Sequence, residues 1–263
     1  QDSRHYVRDA VVAGSASQVQ FRVKGDLYDL PFADPSQGEF RIAARMKDVT
    51  YAYVPASLLP ADTLPWPALS GLAGDLIFDR ASMQVRGASG GFAGSKGLRL
   101  SKVDAKIPDL LHSGLEVTVA ADARGPLPEL LTLLSTSPLG GLTGNALDRA
   151  TGTGNADLQL RLRLPIDALQ NSKVQGSLSL AGNELRIAPD IPVLSRVRGA
   201  VQFSETGFMV TNVQAQALGG AVKIDGGRRV LAPTAPATES AVRLRAQGTA
   251  TAQGLQQTVQ WGA

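Results

Sequence analysis

The sequence predicts an all-β protein built on antiparallel sheet, and three observations predict it. Apolar and polar residues alternate with period two along most of the chain. Clusters of Gly, Pro, Asn, Asp and Ser punctuate the alternating segments. One two-strand pattern occurs twice, 125 residues apart. Successive side chains of a strand point to opposite faces, so each alternating segment has an apolar face and a wet one. That is the signature of an antiparallel sheet solvated on one side.

In chain order, Val19, Phe21 and Val23 alternate with Gln18, Gln20, Arg22 and Lys24, and Lys24-Gly25-Asp26 predicts a turn. After Asp34-Pro35-Ser36, Phe40, Ile42, Ala44 and Met46 alternate with Arg41, Ala43, Arg45 and Lys47. Gly74-Asp75-Leu76-Ile77-Phe78, four residues and Met83-Gln84-Val85 predict a hairpin, with a further turn at Ser89-Gly90-Gly91. Leu98 and Leu100, then Leu115, Val117 and Val119, give two more strands. The Leu spacing 127, 130, 131 and 134 is helical; Pro128 fits a first turn and Ser137-Pro138 a stop, so a short helix is expected near 127–135. Its apolar stripe must dock on something. A Gly-, Thr- and Asn-rich stretch comes next, from Gly140 to Asn155. Leu158, Leu160, Leu162 and Leu164 then alternate with Gln159, Arg161 and Arg163. Turns are read at Ala181-Gly182-Asn183 and Asp225-Gly226-Gly227, and a last strand carries Val242, Leu244 and Ala246.

The repeated pattern is the hairpin. Adding 125 to positions 74, 76, 78, 83, 85 and 94 gives 199, 201, 203, 208, 210 and 219, again Gly, apolar, Phe, apolar, Val and Gly. The likeness extends upstream at offsets of 139 and 138, where Val19–Val23 matches Leu158–Leu162 and Gln37–Ile42 matches Gln175–Leu180. The expected organisation is a first β repeat over 1–125, a helix and connector over 126–155, and a second β repeat over 156–263.

Composition narrows the function. There is no Cys, which excludes disulfides and Cys-based metal sites and is compatible with a periplasm. A net charge of +3, with Lys and Arg spread over many strands, is no nucleic-acid footprint. No apolar run approaches a membrane span. Opening on Gln1-Asp2-Ser3-Arg4 and closing on Gln260-Trp261-Gly262-Ala263, the sequence reads as a piece of something larger.

Catalytic constellations are thin. The two histidines, His5 near a terminus expected to fray and His112 in a turn-like spot, support neither a metal site nor a triad. Gly87-Ala88-Ser89-Gly90-Gly91 matches G-x-S-x-G. The next residues, Phe92-Ala93-Gly94-Ser95-Lys96-Gly97, are too Gly-rich for the helix of a nucleophile elbow, and a hairpin loop is expected. Only reaction of Ser89 with a fluorophosphonate probe would revive a hydrolase. Asp75 and Asp79 share a strand face opposite Leu76 and Phe78, which reads as a solvated outer face and not an acid–base pair. Gly152-Thr153-Gly154 lacks the third glycine of a dinucleotide fingerprint, and Gly94-Ser95-Lys96 is no phosphate loop.

An apolar sheet face must be covered. A second sheet would give a filled core, whereas a curled trough could be filled by lipid. The apolar residues are mainly Leu, Val and Ala, with only 5% aromatics, which suits a smooth wall. Transfer of an acyl chain from water is worth ~0.8 kcal/mol per CH₂, roughly 12 kcal/mol for about sixteen carbons, so such a wall must run without gaps.

Two segments carry a resemblance. Ala123-Arg124-Gly125-Pro126-Leu127-Pro128-Glu129-Leu130-Leu131, with Ser137-Pro138-Leu139, is one; Val197-Arg198-Gly199-Ala200-Val201-Gln202-Phe203-Ser204-Glu205-Thr206-Gly207-Phe208, with Gln214–Gly220, is the other. Both resemble the YhdP-type proteins of the AsmA-like superfamily of Gram-negative bacteria, over most of residues 7–227. The resemblance implies an elongated, highly curved antiparallel sheet forming a repeating β-groove with an apolar inner face. It implies an internal periplasmic fragment of a long bridge-like lipid transfer protein. The missing parts would supply the inner-membrane anchor and the outer-membrane contacts. It brings no catalytic residue, metal or cofactor.

The expected function is therefore passage of phospholipid acyl chains along the groove between inner and outer membrane. The expected wall is Val19, Phe21, Val23, Phe40, Ile42, Leu76, Phe78, Met83, Val85, Leu158, Leu160, Leu162, Leu178, Leu180, Val201, Phe203, Phe208 and Val210. Leu160→Asp or Phe203→Asp should block passage. The alternative is a structural or assembly protein of the envelope with a filled β core, acting through protein contacts.

Overall fold

A computed structural model describes residues 3–32, 34–111, 114–143, 147, 149–189, 191–229 and 243–259. Helix α1 (Ser3–Ala10) leads into β1 (Val11–Gly25), β2 (Gly38–Tyr51), β3 (Leu69–Asp79), β4 (Ser82–Phe92), β5 (Arg99–Ile107) and β6 (Glu116–Pro126). Helix α2 (Leu127–Ser135) and the short β7 (Thr151–Gly152) are next. Then come β8 (Asn155–Pro165), β9 (Lys173–Arg186), β10 (Leu194–Ser204), β11 (Gly207–Ala217), β12 (Gly220–Arg229), β13 (Arg243–Gly248) and α3 (Ala252–Val259). The thirteen strands belong to one antiparallel sheet whose order follows the chain, with β7 paired to β9. The all-β, antiparallel expectation is borne out. The chain divides into two compact units, one of Gln1–Ala123 with Leu160–Lys173, the other of Arg124–Gln159 with Val174–Ala263.

The repeated hairpin is real in three dimensions. In β3–β4, Leu76 pairs with Val85 and Phe78 with Met83. In β10–β11, Val201 pairs with Val210 and Phe203 with Phe208, the same registers 125 residues on.

Three glycine clusters read as turns lie inside strands: Ser89-Gly90-Gly91 in β4, Ala181-Gly182-Asn183 in β9 and Asp225-Gly226-Gly227 in β12. The physical reason is close approach and bulging. A Cβ on Gly90 would sit 2.7 Å from the Ser70 carbonyl oxygen. Gly182 carries a φ of 113° at a register shift between β9 and β10.

Bulges of this kind recur strand by strand. Each of β1 to β5 holds one residue with φ between 50° and 60°, Gln18, Asp48, Gly71, Gly87 and Lys102 in turn, and β1 carries two further positive-φ residues in Gly14 and Gly25. In β10 and β11 the equivalents are Arg196 and Asn212, with φ of 51° and 53°. Positions 71 and 196, and 87 and 212, are again 125 apart. A bulge adds one unpaired residue, bends the strand and increases its twist. It also reverses side-chain parity, and the sequence reverses with it. In β4 the buried series is Met83, Val85, then Ala88 and Phe92; in β11 it is Val210, then Val213 and Ala215. One face therefore stays apolar through the kink.

The bulge amides are satisfied from the next strand. Gly87 N–H donates to Asp104 Oδ1 (2.9 Å), and Asn212 N–H donates to Asp225 Oδ1. Asn tolerates the left-handed conformation better than branched residues do. A Cβ on Gly87 would meet nothing within 4 Å. Gly87→Asn is therefore expected to shift stability by less than about 0.5 kcal/mol, and Gly87→Val to cost about 1–2 kcal/mol, in urea unfolding.

Helix α2 forms on the residues expected of it. Its N-cap is Pro126, Pro128 occupies the first turn, and Leu127, Leu130 and Leu131 are buried. The Leu127 side chain would collide with any Cβ at Gly152, and Gly154 has a φ of 79°, which together explain the Gly-Thr-Gly run. Buried Asn183 fastens that run, donating from Nδ2 to the carbonyls of Thr153 and Asn155 (2.9 Å each).

The segment around His5 is ordered helix, contrary to expectation. His5 lies in α1, and Tyr6 of the same helix is 2% exposed. Tyr6 Oη donates to the Tyr53 carbonyl (2.9 Å), leaving the Tyr51 hydroxyl to donate to Tyr6 Oη (2.9 Å). The ring of Trp66 meets Tyr53 edge-on, with centroids 6.2 Å apart. Burial pushes the Tyr51 hydroxyl up to about 12, a rise the hydrogen bond shared with Tyr6 partly offsets, and pushes Tyr6 and Tyr53 higher still. The unfolded chain ionises near pH 10 and the folded one does not, so stability is intact below about pH 10 and lost above it. Melts between pH 8 and 11.5 should show a loss approaching about 1.4 kcal/mol per pH unit per tyrosine, with a shallower slope for Tyr6→Phe.

Candidate functional site

In the first unit the apolar side chains line up as a row across five strands. Phe21 pairs with Ile42, Ile42 with Phe78, Phe78 with Met83, and Met83 with Ile107. A second row runs Ala44, Leu76, Val85, Ala105. Val23 pairs with Phe40 beside them. Burial rises steadily along the first row: Phe21 is 70% exposed, Ile42 and Phe78 are half-buried, and Ile107 is 1% exposed. Val19 and Val23 are exposed with Phe21, whereas Phe40 and Leu76 are half-buried. Met83, Val85, Leu160 and Leu162 are buried by protein alone.

The second unit repeats the arrangement. Leu178 pairs with Val201, Val201 with Val210, Val210 with Gly226, and Gly226 with Leu244. Beside it run Gly176, Phe203, Phe208 and Arg228. Leu178, Val201, Phe203 and Phe208 are half-buried; Leu158, Leu180 and Val210 are buried. An open cavity of ≈ 740 Å³ lies at the end of this hairpin. Phe203, Phe208 and Met209 give it an apolar lining, and Arg228 and Arg243 place cations beside it. Its room comes from glycines. The Phe203 ring lies across Gly176, where a Cβ would overlap it, and Gly226 and Gly227 open the opposite side. Sequence reasoning assigned Phe203 and Phe208 to a wall but missed Met209, Arg228 and Arg243. Gly226-Gly227, read as a turn, was the available signal.

The polar parity is riveted and not reactive. Arg45 Nη1 donates to Asp75 (2.7 Å), and Arg41 Nη1 donates to Asp79 (2.9 Å). Arg163 reaches Glu116 (2.7 Å) in the same way. Both carboxylates of the candidate acid–base pair are thus engaged by guanidinium groups. Between them Ile77 is 7% exposed, an apolar residue buried on the wet face. Such pairs are each worth about 0.2–1 kcal/mol at these exposures.

Ser89 is exposed within β4, with no helix directly after it, so the nucleophile-elbow geometry does not arise. His112 lies outside the described residues. Among the described residues no group of three or more His, Cys, Asp or Glu could hold a metal. Among them, too, no helix is long and apolar enough to cross a membrane.

The sequence profile of one protein family, described as YhdP protein, matches residues 1–263. Neither the curated proteins nor the solved structures give a match.

Proposed function

The chain belongs to the YhdP protein family over residues 1–263, and from that premise we propose that each of its units presents an apolar wall on which phospholipid acyl chains travel through the periplasm between inner and outer membrane. At the level of the family this is an AsmA-like, non-enzymatic protein of the Gram-negative envelope associated with lipid transport. The observation that carries the finer reading is the incompletely covered apolar row of each unit. Phe21, Ile42 and Phe78 in one, and Leu178, Val201 and Phe203 in the other, keep accessible surface on the face that is otherwise core. Contiguous exposed apolar surface is the character of ligand-binding grooves and of protein or membrane interaction sites. Each methylene laid against it contributes ~0.8 kcal/mol.

A second reading has its own support. Met83, Val85, Leu158, Leu160, Leu162, Leu180 and Val210 are buried without any lipid, as in a filled core. The envelope-assembly alternative, working through protein contacts, rests on them. Organic extraction of the purified chain followed by lipid mass spectrometry separates the two. Phospholipid near one molecule per chain is the expected result; a clean blank would leave the filled core.

A further inference from the structure

We propose that the polar cavity where β1, β2 and β3 end is a binding site for a phosphate-type oxyanion. This site stands on the polar parity of the strands and goes beyond the lipid-carriage reading. The cavity measures ≈ 720 Å³ and is lined by Arg22, Lys24, Arg41 and Arg80, with Glu39 and Asp79 as the only carboxylates among its described lining residues. Four cations against two anions leave an excess of two positive charges, the charge of a phosphate monoester dianion with its sign reversed.

The arrangement is poor as a purely structural device. Arg22 and Arg41 are direct partners in the β1–β2 register, so two guanidinium groups emerge side by side on one face. Like charges placed opposite each other destabilise a sheet. The carboxylates present do not resolve the conflict. Asp79 is already divided between Arg41 (2.9 Å) and Arg80 (3.3 Å), and Glu39 holds Arg22 only at 3.3 Å. Lys24 pairs across the strands with that same Glu39. Arg80 Nε is buried and has no hydrogen-bond partner, so the Arg80–Asp79 contact leaves this guanidinium only partly satisfied. A buried guanidinium N–H without an acceptor is costly. An oxyanion entering the cavity would meet the accessible guanidinium groups of Arg22, Arg41 and Arg80 and the exposed Lys24. Arginine forks match phosphate oxygens in planar, bidentate fashion, and a lysine adds a point charge.

The same oxyanion chemistry could come from a lipid headgroup or from free phosphate, and the test tells these apart. The purified chain is titrated calorimetrically with inorganic phosphate and pyrophosphate at low salt, and floated with vesicles of phosphatidylglycerol or of phosphatidylcholine. The Arg22→Gln/Lys24→Gln variant is run alongside; the Arg22 side chain is 71% exposed, so the change spares the Arg41–Asp79–Arg80 linkage. A control replaces the exposed cations Lys106 and Arg161 with glutamine. Saturable binding of phosphate or pyrophosphate, weakened at least about tenfold in the double variant and unchanged in the control, supports a soluble anion. Capture by phosphatidylglycerol vesicles alone, with the same dependence on Arg22 and Lys24, supports a headgroup. Absence of binding to every probe, or equal loss in variant and control, overturns the site. None of these outcomes depends on whether lipid is extracted from the apolar walls.

Discussion

The Phe203→Asp variant is expected to purify without phospholipid while remaining folded. Phe203 is only half-buried, pairs with Phe208 and lines the cavity of the second unit. Its ring lies over Gly176, so removing it opens space and creates no clash. The folded chain can hydrate a carboxylate there from the open side. An acyl chain cannot: a carboxylate against hydrocarbon costs about 3 kcal/mol, on the scale measured for charged groups in the membrane interior. That is at least about a hundredfold in occupancy. The melting temperature is expected to fall by less than about 5 °C. Lipid mass spectrometry beside a thermal melt checks both halves, and retention of wild-type phospholipid in a folded variant would sink the conduit reading.

Leu160→Asp is expected to fail differently, by not folding. From the sequence, Leu160 and Phe203 are equivalent wall positions. In the structure Leu160 is 7% exposed, between buried Leu158 and Leu162 on a strand whose burial alternates without interruption. The substitution removes a buried leucine and leaves a carboxylate without a counter-charge, a loss above about 5 kcal/mol. Domains are stable by about 5–15 kcal/mol, so most of the margin goes. Circular dichroism and soluble yield would register the collapse, whereas Leu160→Met should cost less than about 1.5 kcal/mol. A folded, monodisperse Leu160→Asp protein would mean that this stretch is open wall after all.

The difference between these two residues marks what was legible in the sequence. Period-two alternation places Leu160 and Phe203 correctly on strands, because one apolar face is a local property of the chain. How far each is covered depends on which neighbours the sheet brings over it, which no local window contains. The hairpin repeat was legible to the residue, down to the register of Phe78 with Met83 and Phe203 with Phe208. The helix at Leu127 was legible because its spacing and Pro128 agree. The glycine clusters at 89–91, 181–183 and 225–227 misled, because a glycine needed for a bulge or a close approach looks the same in sequence as one needed for a turn. The tyrosine cluster and the paired guanidinium groups Arg22 and Arg41 were invisible for a related reason. They are set by partners 19 to 47 positions away.

The left-handed residues of β1 to β5, β10 and β11 give the strands something like a reading frame with one deliberate shift. On either side of Gly87 the apolar residues occupy odd and then even positions, yet they stay on one surface. Loss of that one residue would rejoin Val85 and Ala88 in simple alternation, straighten the strand, and leave inside and outside where they were. A regular strand such as β8 has no such freedom, since deleting any one residue exchanges its two faces. Bending in this protein can therefore be gained or lost one residue at a time, without the two surfaces ever trading places.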